Sequence, residues 1–202
     1  MAPRPAAGAR RREILEALAE LLATPEAAPV TTAALARAVG LSEAALYRHF
    51  PSKARIFEGL LEFAEGALFE RIRALAREVP DTPAALGQMA ALALAFAERN
   101  PGIARLLAGE VLVGEDPRLG RRAARVFERL AAEFRQRIRR GEVEEERVCA
   151  LPPGMAAALV ADWVVGRWQR YVKSGFAAPP TADWGVVWAL MGRALFPPPG
   201  SH

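Results

Sequence analysis

The chain has 202 residues, 27 of them basic and 23 acidic, for a net charge of +4; 52% are hydrophobic and 25% charged. That mixture excludes a disordered chain and is long enough to bury a core in one or two domains. The basic balance permits nucleic acid as a partner without specifying it, and because Lys53 and Lys173 are the only lysines, the Arg/Ala/Pro/Gly bias reads as GC-rich codon usage rather than a functional signal.

Residues 1–9 are rich in Pro, Ala and Gly and read as a mobile start. Arg4, Arg10, Arg11 and Arg12 suit an electrostatic arm along a nucleic-acid backbone or minor groove, and equally a solubilising tail. No apolar run follows these arginines, so no signal peptide is expected, and no stretch of about 18 apolar residues predicts a membrane span. The first helix is predicted over residues 10–23, from the stripe Ile14, Leu15, Leu18, Leu21 and Leu22. Pro25 and Pro29 make residues 24–30 a loop.

The stretch TTAALARAVGLSEAALYRHFPSKAR, residues 31–55, organises the rest. Thr32 is read as the N-cap of a short helix whose Leu35 and Val39 share one face, and Gly40 ends it. Ser42 caps a second helix over residues 43–50, with Glu43 suited to the positive end of its dipole. Pro51 stops that helix and Ser52 caps the next. This is helix-turn-helix spacing, in which the second helix enters a DNA major groove. Small residues at its start (Ser42, Ala44, Ala45) allow close approach to base edges, and Tyr47, Arg48, His49 and Lys53 cluster as phosphate donors. The DNA-contacting set is therefore Thr32, Ser42, Glu43, Ala44, Ala45, Tyr47, Arg48, His49 and Lys53, on double-stranded DNA.

A long helix is predicted over residues 53–77, apolar over a wide arc through Ile56, Leu60, Phe63 and Ala67 and through Phe57, Leu61, Leu68 and Ile72. Asp81 or Thr82 before Pro83, Asn100 before Pro101 and Asp116 before Pro117 mark three further helix starts. The last of these runs to about residue 140, burying Val126, Leu130, Phe134 and Ile138, while its many arginines read as a solvated face partly neutralised by Glu128 and Glu133. Residues 141–154 read as an exposed acidic connection. Two helices, about 155–174 and 182–196, close the chain and carry Trp163, Trp168, Trp184 and Trp188, as core or as a dimer interface. Strand signals are absent, so the fold class is all-α with about nine helices. The domain division is a helix-turn-helix head over residues 1–52 and a helical partner-binding and dimerisation body over 53–202.

For an enzyme the chain lacks a nucleophile with its base or a metal cluster. Its two histidines are His49 and His202, Cys149 stands alone, and no HExxH, CxxC, P-loop or GxSxG occurs. No enzymatic activity and no cofactor or metal is expected.

The segment VGLSEAALYRHFPSKARIF resembles the DNA-binding signature of the TetR family of bacterial regulators. RRREIL, TTAALA, LLEFAE, FAERNPG and VFERLAAEFRQ extend the resemblance over most of the chain, toward the nucleoid occlusion branch of that family. The resemblance implies a TetR-like fold and a homodimer through the last two helices, with higher-order assembly on DNA possible. It implies palindromic chromosomal sites, a cytoplasmic, nucleoid-associated location with no membrane, and inhibition of division-ring assembly by the tubulin-like protein FtsZ. It places the FtsZ C-terminal tail between the fourth and fifth helices, at positions matching Phe63, Arg71, Leu92, Phe96, Arg99 and Asn100. Core packing accounts equally for Phe63 and Phe96, and helix capping for Arg99 and Asn100. Ala95 stands where the branch tends to have glycine, which puts close docking in doubt. The alternative is a ligand-responsive TetR-type repressor with a body cavity, for which Gln88, Met89 and Glu110 are candidate liners.

Overall fold

The computed structural model describes residues 7–24 and 30–198. Arg4 and the loop prolines Pro25 and Pro29 lie outside the described residues. Among these residues there are nine α-helices and one 3-10 turn, with no strand: α1 (Ala7–Leu22), α2 (Thr32–Ala38), α3 (Glu43–His49), α4 (Lys53–Glu78), α5 (Thr82–Arg99), α6 (Pro101–Leu107), the 3-10 turn Glu110–Leu112, α7 (Pro117–Glu144), α8 (Pro153–Lys173) and α9 (Trp184–Leu195).

These helices form two compact units, and the boundary is not the one the sequence predicts. The first unit holds the described residues up to Glu65 together with Asn100–Ala123; the second holds Gly66–Arg99 and the described residues from Ala124 on. The break therefore falls inside α4, not before Lys53, and α6 joins the head. Gly102 supplies the physical reason: a Cβ built there would lie 1.9 Å from the carbonyl oxygen of Ala19, so α6 runs against the backbone of α1. Only glycine allows that approach. Ile103, Leu106 and Leu107 then bury against the stripe Ile14, Leu18 and Leu22, which extends the core of the first unit to Leu46, Phe50 and Leu60.

In the second unit, α5 is the buried helix. Ala85, Leu86, Met89, Ala90, Ala93, Leu94 and Ala97 are fully inaccessible. Alanine on so many positions lets neighbouring helices close in, and α8 and α9 both pack on it. Val126, Leu130, Phe134 and Ile138 line the buried side of α7 as the spacing predicts.

One α7 arginine departs from the solvated-face reading. Arg137 is buried, and its guanidinium donates to Thr82 Oγ1, to Glu145 Oε1 at 2.9 Å and to the carbonyls of Val79 and Pro80. Glu145 in turn accepts from the Thr82 amide at 2.8 Å and hydroxyl at 2.7 Å. A buried charge is tolerated only when paired and hydrogen-bonded in this way. The helix also continues past Gly141 to Glu144, where the sequence predicts a break. Gly141 is a contact rather than a stop, since a Cβ there would meet Thr82 Oγ1 at 2.0 Å.

Two outcomes follow for stability. Gly102→Ala has no side chain to push aside, only a carbonyl, and is expected to cost on the order of 3 kcal/mol in urea unfolding. Burial pushes the Glu145 carboxyl up, but hydrogen bonds from Thr82 and Arg137 outweigh it and leave the group below its ordinary range. Its contribution is thus complete above the unfolded value of about 4.3 and is lost as pH falls through the lower folded value. Unfolding free energy should fall more steeply with acid in the native chain than in Glu145→Gln.

Candidate nucleic-acid interface

The reading helix α3 has only seven residues, and its ends are made by side chains. Ser42 Oγ accepts from the Ala45 amide at 3.2 Å. Gly40 turns the chain at φ +64°, and the Leu41 amide donates to the Ala36 carbonyl at 2.8 Å. At the far end Arg11 donates to the His49 carbonyl and lies 4.1 Å over the Phe50 ring. Ser52 Oγ then accepts from the Arg55 amide at 3.2 Å and opens α4.

Three expectations are corrected. Thr31, not Thr32, caps α2, accepting from the Ala34 amide at 3.1 Å; two adjacent threonines offered the same signal. Thr32 instead donates to Glu43 at 2.6 Å and accepts from the Tyr47 hydroxyl at 3.4 Å, a chain of three polar groups along the helix-turn-helix. Ala45 is buried in the head and cannot reach a base edge. Arg10, Arg11 and Arg12 are helical, not an arm: Arg10 pairs with Glu13 and Arg12 with Glu16, each at 2.7 Å.

The other predicted contacts are open. Ser42, Glu43, Ala44 and Arg48 are exposed, Tyr47 is 42% exposed, and Thr32, His49 and Lys53 are half-buried. Lys53 stands at the first position of α4, and its ammonium pairs with Glu115, a residue the sequence reading passed over because 62 positions separate them. Glu115 precedes Asp116, whose carboxyl a hydrogen bond from the Arg118 side chain holds down at about 2, so it caps α7 as an anion.

The positions implied for a partner peptide are distributed as follows. On α4, Phe63 is 36% exposed and Arg71 is exposed. On α5, Leu92 is half-buried and Arg99 exposed, whereas Phe96 is buried and lies 6.3 Å from the ring of Trp168, so it is core. Asn100 precedes α6, and its side chain makes no capping bond to that helix. The tryptophans are also corrected. Trp168 is 1% exposed with the edge of Phe127 against it, and Trp184 is 8% exposed and donates to the Gly87 carbonyl at 3.1 Å. Both belong to the protomer's own core, while Trp163 and Trp188 flank Trp184 half-buried, at 5.0 and 5.4 Å.

No group of three or more His, Cys, Asp or Glu among the described residues could hold a metal. Burial pushes the Cys149 thiol up, away from nucleophilic use. Gln88 is exposed and Met89 fully buried, so these two candidate liners do not share a cavity.

A capped, two-turn helix presented beside a basic helix start, on an all-helical scaffold, defines a helix-turn-helix DNA-binding regulator. Residues 14–60 match the family described as "Bacterial regulatory proteins, tetR family", and residues 80–196 match "Tetracyclin repressor-like, C-terminal domain", the SlmA-like type. The chain is 46% identical over 191 residues to the nucleoid occlusion factor SlmA of Marinobacter nauticus, covering 93% of this chain and 96% of that one. It is likewise 46% identical over 187 residues to SlmA of Vibrio cholerae, covering 92% and 95%. In fold it is similar to a TetR transcription regulator from Haloarcula marismortui, with a TM-score of 0.79 at 17% identity over 94% of this chain and 99% of that one. It is also similar to the FadR regulator of Bacillus subtilis, with a TM-score of 0.76 at 16% identity over 91% and 98%. The chain belongs to the SlmA nucleoid occlusion factors of the TetR family.

Removing the α3 cap tests the head's construction. Ser42→Ala should cost about 1 kcal/mol and Ser42→Gly only a few tenths, read by urea unfolding.

Proposed function

We propose that the protein is a nucleoid occlusion factor that binds palindromic chromosomal sites as a homodimer and restrains division-ring assembly through the C-terminal tail of FtsZ. It acts in the cytoplasm, over the nucleoid. The observation that carries this reading is the extent of the similarity: identity to the SlmA proteins runs through the body as well as the head, over 93% of the chain. A helix-turn-helix alone is shared by many repressors; the body is what separates this branch from them.

The dimer is supported by an apolar face on the last two helices. Met155 and Leu159 on α8 are 59% and 48% exposed, and Val186 and Leu190 on α9 are 68% and 61% exposed. Each pair is four residues apart and so lies on one helix face. A second copy of the same face, packed as a four-helix bundle, removes all of them from water, at roughly 25 cal/mol per Å² of apolar area. A dimer also brings two α3 helices to half-sites about one helical turn, roughly 34 Å, apart, which makes a palindromic site recognisable. Ser42, Glu43 and Ala44 then face base edges, while Tyr47, Arg48 and Lys53 hold phosphates.

The FtsZ tail docks along α4 and α5. Arg71 and Arg99 are exposed and meet acidic residues of the peptide, and Leu92 offers apolar contact. Phe96 supports the surface from beneath, through Trp168.

The test is binding of the FtsZ C-terminal tail peptide by fluorescence anisotropy, with and without a cognate duplex. Micromolar binding that is lost in Arg99→Ala and Arg71→Ala, with DNA binding retained, is the expected result. Absence of binding in both conditions would instead favour a transcriptional repressor.

A further inference from the structure

The DNA-facing lysine is already occupied by an anion from elsewhere in the head. Lys53 sits at the first position of α4, where free backbone amides and its own charge suit a phosphate. Its ammonium is paired with Glu115, with side-chain exposures of 32% and 21%, and the Phe57 ring lies 5.7 Å away. Glu115 is held in place by a short turn. Gly109 and Gly114 both adopt φ +82°, framing the 3-10 turn, and neither has any heavy atom within 4 Å of a built Cβ, so the backbone angle and not packing requires glycine. Arg105 fixes the near end of the turn, bonding Glu110 at 2.7 Å and the Thr24 carbonyl at 3.0 Å. The Glu115 amide donates to the Leu112 carbonyl at 3.1 Å, which fixes the far end.

We infer that Glu115 is an intramolecular stand-in for a DNA phosphate: it competes for Lys53 and so sets how tightly the head binds a duplex. Carboxylate and phosphate oxygens make the same kind of charge-assisted hydrogen bond to an ammonium. A phosphate brought to Lys53 also meets the negative charge of Glu115, so binding proceeds by exchanging one anion for the other or by paying their repulsion. The contact is sequence-independent and weakens every duplex alike. Because the effect is a linkage, it runs both ways: DNA must loosen the turn between α6 and α7 by the same free energy with which that turn opposes DNA. The turn is thereby an affinity-setting element of the head, although it lies outside the helix-turn-helix in sequence.

This inference rests on the placing of Lys53 at a phosphate, and the experiment separates the two. Anisotropy titrations with a palindromic and a random duplex would compare the native chain with Glu115→Gln, Lys53→Ala, the double variant, and Glu20→Gln as a charge-matched control at an exposed carboxylate of the same unit, away from the turn. Thermal unfolding would check that each is folded. Lys53→Ala should weaken both duplexes. Glu115→Gln should tighten both by about two- to fivefold, the scale of a partly exposed ion pair, and should steepen the salt dependence. Glu20→Gln should do neither, and the gain from Glu115→Gln should vanish in the Lys53→Ala background. A gain that persists without Lys53, or that Glu20→Gln reproduces, would mean general charge repulsion and overturn the competition. So would an unchanged affinity in Glu115→Gln when Lys53→Ala weakens binding. If Lys53→Ala itself changes nothing, the phosphate assignment of Lys53 falls first and the competition falls with it.

Discussion

A seven-residue helix cannot hold itself together in water, because nucleation costs more than two turns of hydrogen bonds return. The head exists to meet that constraint for α3. Its first turn is closed by the Ser42 hydroxyl, its last carbonyls by Arg11 reaching across from α1, and its inner side by Ala45, Leu46 and Phe50 in the core. What remains outside is a row of side chains whose positions are fixed by everything behind them. DNA recognition needs such rigidity, since base edges are read by geometry and a loose helix would spend its contacts on being ordered.

The second unit is organised differently. Its central helix is made of small residues, and its largest rings are stacked around that helix instead of being held at the surface. The buried Arg137 joins the α4–α5 corner to the end of α7 through Thr82 and Glu145. Such a pair adds little net stability compared with apolar packing, but removing one partner strands the other. Its clearest effect is to specify one geometry for the corner at which α4 ends and α5 begins.

Most of the fold was legible because helices announce their starts. Asp81, Asn100 and Asp116 before prolines, Ser42 and Ser52 before their helices, and the four-residue spacing of Val126, Leu130, Phe134 and Ile138 all act locally, and each has a local sequence signature. What failed to show was non-local. Gly141 looks like a helix stop in sequence and is a contact with Thr82 in space. Gly102 follows a proline-led helix start in sequence and is the close approach that brings α6 against α1. Ala45 turns inward unannounced because alanine suits either face of a helix, and the cap of α2 falls on Thr31 instead of Thr32 because adjacent threonines carry the same signal. At the candidate site the exposed donors were readable from residue type, but their partners were not: the pairing of Lys53 with Glu115, and of Thr32 with Glu43 and Tyr47, depends on chain returns that composition does not encode.

The placement of the aromatic rings has a spectroscopic consequence. All four tryptophans, Trp163, Trp168, Trp184 and Trp188, belong to the second unit, and the reading head has none. Intrinsic tryptophan emission is therefore blind to what happens locally at α3. Any change in it when a duplex is added reports a rearrangement of the α5–α8–α9 cluster or of the face that α8 and α9 present, so the natural chain carries, without labelling, an optical probe of whether occupation of the head is felt in the body.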